Sequence, residues 1–264
     1  MQLGCSTILY GGHDLDIALD RIKAVGYRAV ELCAIPGMAP HLSLGESAEY
    51  YQDVKSRMAD RGLVVESIGA SGTFGDRDKF LRVLDAAAAV GAPLVTTGAG
   101  GKMDDEASFR EVVKAVNDAV GECRSRGVKL SVKPHVNNAV YDTDTAHRFM
   151  QEVDRAWVGL NYDPTHVWRN GKMEVPEQTL WKISDDILSL RIRDVKGRQT
   201  AIGPVEGQIA PNGDLNLPAL AQEFKKLRRV EYAVLEIVGT KACTVAQVDD
   251  VIQRSFDYFQ PLFA

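Results

Sequence analysis

Short, nearly continuous apolar runs recur along the chain, each followed by a longer stretch in which apolar residues return every three or four positions. The first kind reads as a strand buried on both faces, the second as an amphipathic helix laid against it. The pattern predicts strands near residues 3–8, 29–33, 64–68, 94–98, 129–133, 158–163, 187–193 and 233–238. Between the first two, residues 14–24 carry Leu15, Ile17, Ala18, Ile22 and Ala24 at helical spacing, and Gly26 ends that helix as a left-handed cap. Gly62, Gly91 and Gly127 repeat the same punctuation before later apolar runs. Strand and helix alternate with no linker or break in composition, which is the pattern of a parallel sheet wound with helices. Eight such units in 264 residues match the ~250 residues of one barrel, so the expectation is an α/β chain folded as a single (β/α)8 TIM barrel over residues 1–264.

Composition narrows the class of ligand. The chain is 45% hydrophobic and 25% charged with a formal charge of −5, which leaves no broad basic field for nucleic acid. No apolar run approaches the ~18 residues a membrane span needs, so no membrane partner is expected. Small molecules remain. Cys5, Cys33, Cys123 and Cys243 show no C-x-x-C spacing and read as reduced core thiols. Met1-Gln2-Leu3-Gly4-Cys5 has neither a basic nor an apolar segment ahead of its cysteine, and reads as the first strand of a cytoplasmic protein rather than a lipoprotein signal.

Four charges stand where apolar runs end: Lys133, Asp163, Arg191 and Glu236. A charge at the carboxyl end of a buried strand is costly unless paired, and in a parallel barrel those ends converge on the mouth where chemistry is placed. His135 and Arg193 follow Lys133 and Arg191 by two residues and keep the same side-chain direction if the strand continues. Asp163-Pro164-Thr165-His166 turns sharply enough to return His166 to the mouth. A charge-neutral network that merely closes the barrel is the plainer alternative.

Several segments together resemble the xylose isomerase-like TIM barrels, a family of sugar-phosphate isomerases and epimerases, inosose-processing enzymes and endonuclease IV. They are Val158-Gly159-Leu160-Asn161-Tyr162-Asp163-Pro164-Thr165-His166, Leu190-Arg191-Ile192-Arg193-Asp194-Val195-Lys196-Gly197, Pro211-Asn212-Gly213-Asp214-Leu215-Asn216-Leu217-Pro218 and Val234-Leu235-Glu236-Ile237. The resemblance implies a divalent metal held by a Glu, an Asp, a His and a Glu after strands five to eight. Asp163 and Glu236 match. Lys133 stands at the first Glu, in Lys133-Pro134-His135, and Arg191 at the His, in Arg191-Ile192-Arg193-Asp194; Asn216 stands where an Asp is common.

Charge decides what those replacements do. The family set carries −3 and needs a cation, whereas Lys, Asp, Arg and Glu sum to zero without one. A divalent ion ~4 Å from either new cation meets repulsion of roughly 8 kcal/mol at an effective dielectric of about 20, and neither an ammonium nor a guanidinium offers a lone pair. No cofactor is therefore expected. Asp163, Glu236, His166 and His135 are the set that would hold Mn, Mg or Zn had the site been rebuilt.

By this resemblance the chain is a sugar, or sugar-like keto or polyol, isomerase or epimerase working without metal. Glu236 would be the proton-transferring base, Asp163 or His166 its counterpart, and Lys133 with Arg191 would hold the enediolate oxygen. Substrate contacts fall to His135, His166, Arg193, Glu31 and Trp168. Two alternatives stand beside it: Lys133 as a Schiff-base nucleophile of a lyase or aldolase-type enzyme, and a catalytically silent barrel that binds a sugar-like ligand or a partner. Family members often form homodimers, which is the implied assembly.

Other residues lie at the margin of the mouth. Glu31 either contacts a substrate hydroxyl or pairs with a barrel arginine. The glycine-rich stretch 96–101 lacks a phosphate-binding pattern and reads as a rim loop. His13 and His41 read as loop histidines. Trp168 and Tyr141 are placed to form a stacking wall for a sugar ring, Trp157 and Trp181 to pack. Lys196 and Arg198, with Arg193, form a local positive cluster that would grip a phosphate or carboxylate or simply be solvated.

Overall fold

The computed structural model of the chain describes residues 1–264. Its strands are β1 (Gln2–Ser6), β2 (Ala29–Ile35), β3 (Ala39–Pro40), β4 (Val64–Gly69), β5 (Leu94–Gly98), β6 (Lys129–Lys133), β7 (Val158–Tyr162), β8 (Ile187–Ile192) and β9 (Tyr232–Leu235). All except β3 run parallel, and β1 pairs with both β2 and β9, which closes the sheet into an eight-stranded barrel. The two-residue β3 lies antiparallel on the end of β2. Around it lie α1 (Leu15–Val25), α2 (Ala48–Asp60), α3 (Arg77–Val90), α4 (Glu106–Arg126), α5 (Thr143–Glu152), the short α6 (Pro164–Trp168) and α7 (Pro176–Thr179), α8 (Leu217–Phe224) and α9 (Val245–Phe263). This is the (β/α)8 architecture that the alternating pattern predicts.

Local chemistry sets the boundaries. Gly26, Gly91 and Gly127 end α1, α3 and α4 with positive φ, as expected, while Arg61 caps α2 and Gly62 follows at φ +59°. Asp142 and Thr244 form capping boxes with Thr145 and Gln247 at the starts of α5 and α9. The first strand stops at Ser6 rather than residue 8 because the Ser6 hydroxyl accepts the Ile8 N–H at 3.3 Å and turns the chain into a 3₁₀ segment, Thr7–Tyr10. β7 stops at Tyr162 because Asp163 caps α6, with Pro164 at its first position.

The apolar core lies between strands and helices, and the barrel interior is polar. Hydrogen bonds join strands that are not neighbours: Ser131 to Ser189 at 2.8 Å, Thr96 to Glu31 at 2.7 Å and Arg191 to Glu31. Such bonds cross the barrel, where branched aliphatic side chains usually pack. Gly159 on β7 shows how tight the outer layer is. A Cβ there would stand 2.5 Å from Leu188 Cγ and 2.7 Å from the Asp186 carbonyl oxygen. Gly159→Ala is expected to lower unfolding free energy by about 1–3 kcal/mol in urea denaturation, the usual cost of overpacking; a change below a few tenths would show that β8 yields freely.

Cys5, Cys33 and Cys123 are buried and Cys243 is half-buried. Burial and the nearby Glu31 push the Cys33 thiol up to about 12, an inert setting. Trp157 packs against the core, but Trp181 is 70% exposed, contrary to the expectation that it packs. No helix is long and apolar enough to cross a membrane.

Candidate active site

A cavity of about 820 Å³ opens at the carboxyl ends of the strands. Lys133, the last residue of β6, reaches it and places Nζ 2.8 Å from both Glu236 carboxylate oxygens and 4.0 Å from Asp163 Oδ2. β8 and β9 run in register with Ile192 opposite Leu235, so Arg193 and Glu236 emerge at one level. Arg193 Nη2 donates to Asp163 Oδ2 at 2.6 Å and lies 3.9 Å from Glu236 Oε1. Asp163 Oδ1 accepts the Thr165 amide and hydroxyl at 2.9 and 2.7 Å. Burial opposes ionisation of Asp163 and Glu236, but Lys133 and Arg193 outweigh it and hold both carboxyls well below the usual range. Lys133, Arg193 and Glu236 face the cavity; Asp163 lies beneath it, 1% exposed.

Arg191 is not at the mouth. Expected to hold a substrate oxygen, it is fully buried below the cavity and does not line it. Its guanidinium meets Glu31, Glu66 at 3.5 Å and Glu236 at 3.3 Å, and donates to Ser67 Oγ at 3.2 Å. Burial disfavours its charge, yet these carboxylates raise its pKa instead. Arg191 is thus a positioning residue, and of the two arginines at the end of β8 Arg193 is the one that lines the cavity. Glu31 lines the cavity, but its oxygens already accept from Ser6 Oγ and Thr96 Oγ1, each at 2.7 Å, and from Arg191; it is the partner of a barrel arginine. Glu66 is a carboxylate that the sequence reading missed. It sits at a bulge, since Val65 pairs with Val30 but Ser67 with Glu31, and the extra residue turns inward beside Ser67. Burial raises its pKa against the pull of Arg191.

The two histidines stack, ring centroids 3.9 Å apart and planes inclined by 35°. His135 Nδ1 lies 2.8 Å from the Val136 carbonyl, which can only accept, so Nδ1 carries the proton and Nε2 keeps its lone pair. Burial and Lys133 hold its pKa down against that bond. His166 is neutral as well, its pKa well below 6.5 through burial and the charges of Arg193, Lys133 and Arg169. Arg169, also missed in the sequence, donates to the Thr165 carbonyl at 3.1 Å and lies 3.3 Å from His166 Nδ1. Burial lowers its pKa to about 10. Asn161 lines the cavity with Oδ1 buried and without a hydrogen-bond partner. The site therefore has four buried carboxylates, Glu31, Glu66, Asp163 and Glu236, paired with Lys133, Arg191 and Arg193, and a further buried cation, Arg169, held by carbonyls and His166.

The expected stacking wall does not form. Arg198 lies over the Trp168 ring at 3.3 Å, Trp168 Nε1 donates to the Gly197 carbonyl, and the indole stays outside the cavity. Tyr141 likewise turns away to donate to Asp104 at 2.6 Å. The positive cluster disperses: Arg198 donates to the Trp168 and Glu174 carbonyls, and Lys196 pairs with Asp214. His13 and His41 are tied to loop carbonyls.

A family model described as xylose isomerase-like TIM barrel matches residues 19–262. The chain belongs to that family. No curated protein matches it. Similar solved structures include the probable 3-DHS dehydratase AsbF of Bacillus anthracis, TM-score 0.79 at 15% identity over 98% of this chain and 99% of that one. The IolI protein with a bound zinc atom gives 0.79 at 15% over all of both chains. D-psicose 3-epimerase in the presence of D-fructose gives 0.78 at 11% over 100% and 99%. At these identities the likeness is one of fold.

The metal that this xylose isomerase-like barrel would inherit does not fit the residues present. Lys133 takes both oxygens of Glu236 and Arg193 takes one of Asp163, with nitrogens that offer no lone pair. The fallback set is not assembled either, because His135 and His166 stack instead of converging, and no group of three His, Cys, Asp or Glu side chains is arranged to hold an ion.

Proposed function

We propose that the protein is a metal-independent isomerase or epimerase of a sugar-like substrate that carries a keto or aldehyde carbonyl. The observation that carries this reading is the pair of fixed cations, Lys133 and Arg193, facing a cavity beside the unprotonated His135 Nε2. Proton transfer between adjacent carbons needs a base and positive charge beside the oxygen that becomes an enediolate. Lys133 spends two N–H groups on Glu236 and has a third for that oxygen; Arg193 lies beside it.

The base in this scheme is His135. Glu236 is a poorer acceptor than the sequence suggests, because Lys133 and Arg193 stabilise its ionised form. Glu236 instead fixes Lys133 in place. His135 Nε2 takes the proton from the carbon next to the carbonyl and the electrons move to the carbonyl oxygen. In an isomerase His135 returns the proton to the former carbonyl carbon while the neighbouring hydroxyl passes its proton to the held oxygen. In an epimerase a water in the cavity protonates the opposite face of the same carbon, and His135 later gives the proton it removed to solvent. A Schiff base at Lys133 would require the amine to leave Glu236 and lose a proton first.

The test is solvent exchange. Ketopentoses and ketohexoses incubated with the protein in D₂O with excess EDTA are expected to take up deuterium beside the carbonyl, read by NMR, and added Mn, Mg or Zn should not raise the rate. Exchange that appears only with a divalent ion would overturn metal independence. The silent-barrel reading draws support from the ion pairs that occupy Lys133, Arg191 and Arg193 under the cavity; it predicts a ligand that raises the melting temperature and is recovered without deuterium.

A further inference from the structure

The cavity has two chemically different sides. Following the barrel through β8, β9, β1, β2 and β4, the residues beyond the strand ends that face it are Ile202, Val238, Ile8, Met38 and Phe74, with Ile35 at the end of β2. Across β5, β6 and β7 they are Thr97 at the end of β5, then Asn138, His135 and Arg169, with Ser108 and Glu111 of α4. Thr200 and Ser71 interrupt the first side; Ala99, Val112, Ala115 and Val136 interrupt the second with smaller apolar side chains than the Ile, Met and Phe of the first. Groups with unused hydrogen-bonding capacity, the third Lys133 N–H, His135 Nε2 and Asn161 Oδ1, belong to the floor and the polar side.

Phe74 is braced edge-on by Phe80, centroids 5.1 Å apart and planes at 85°. Met38, 42% exposed, presents a pliable thioether at the opening. An opening of about 820 Å³ lies in the upper part of the ~300–1,000 Å³ typical for drug-sized ligands. A single sugar ring that satisfies the floor leaves the apolar side uncovered, and apolar surface concentrated beside a polar site marks a contact for an apolar group.

We propose that the natural ligand is a polyhydroxylated ring bearing an aryl-sized apolar substituent; aryl glycosides, which have no free carbonyl, serve as non-reacting probes of its two halves. The hydroxylated ring sits on the floor and the substituent lies along the side formed by Ile202, Ile8, Met38 and Phe74. The proposal rests on the reading above only for the sugar-like ring; the second half of the ligand is new.

Isothermal titration in EDTA with matched phenyl and methyl β-glycosides of glucose, galactose and xylose tests it. In at least one pair the phenyl member is expected to bind about tenfold more tightly, from burial of the aryl face. Phe74→Ser and, separately, Met38→Ser should shrink that difference. Equal affinity in every pair, no binding by any phenyl member, or a phenyl advantage untouched by both substitutions would overturn it. Binding is read without turnover, so the two ideas fail separately. Exchange on free ketoses with no aryl preference removes only this inference, and aryl preference without exchange removes only the isomerase.

Discussion

Replacing Arg191 with methionine is expected to lower unfolding free energy by about 3–5 kcal/mol near neutral pH, the usual penalty for stranding buried charges by removing one partner. Glu31, Glu66 and Glu236 all turn toward that guanidinium, and methionine fills similar space without compensating any of them. The loss should shrink toward pH 5. The Glu66 carboxyl is already raised in the folded protein by burial, so its contribution is fully present below the unfolded carboxylate pKa of ~4.3 and is lost as pH rises through the higher folded value. Without Arg191 the Glu66 carboxyl loses the guanidinium that opposes burial and moves further up, so folding takes up protons as pH falls. Urea denaturation of both proteins at the two pH values measures this. A loss below about 1 kcal/mol, or one that grows in acid, would show that the carboxylates find other partners.

The second large effect concerns turnover. His135→Gln should lower the rate of deuterium exchange by about 10²–10⁴-fold, the range for a positioned base, while the fold stays intact. Because burial and Lys133 hold the His135 pKa below 6.5, its basic form persists further into acid than a free imidazole. Wild-type kcat/KM should therefore stay level through neutrality and fall only through a pKa below the ordinary histidine value. The glutamine variant should lose that acid limb. Glu236→Gln provides the contrast: releasing Lys133 slows exchange but leaves the limb in place. An acid limb that disappears with Glu236 and survives loss of His135 would return the base role to the carboxylate.

The barrel and its mouth were legible because their causes are local. Apolar runs and glycine caps specify strands and helices, and closure brings Lys133, Asp163, Arg193 and Glu236 together. Depth was not legible. Arg191 and Arg193 point the same way from β8, and only the pairing of Ile192 with Leu235 shows that Arg193 meets the cavity while Arg191 lies beneath it. Glu66 was hidden by a bulge, which strict alternation cannot anticipate. Trp168 and Tyr141 follow strand ends closely enough to suggest a wall, but their environment is set by Arg198 and Asp104 from other loops.

The ring of matched charges has an evolutionary consequence. A lone change of Lys133 to an acid would crowd a new carboxylate against Asp163 and Glu236, and a lone change of Arg191 to histidine would abandon Glu31 and Glu66. Each step toward an ion-binding set of side chains passes through a less stable intermediate. Descendants of this chain are thereby insulated from acquiring such a set by single substitutions, and should diversify at the rim before they change the ground beneath it.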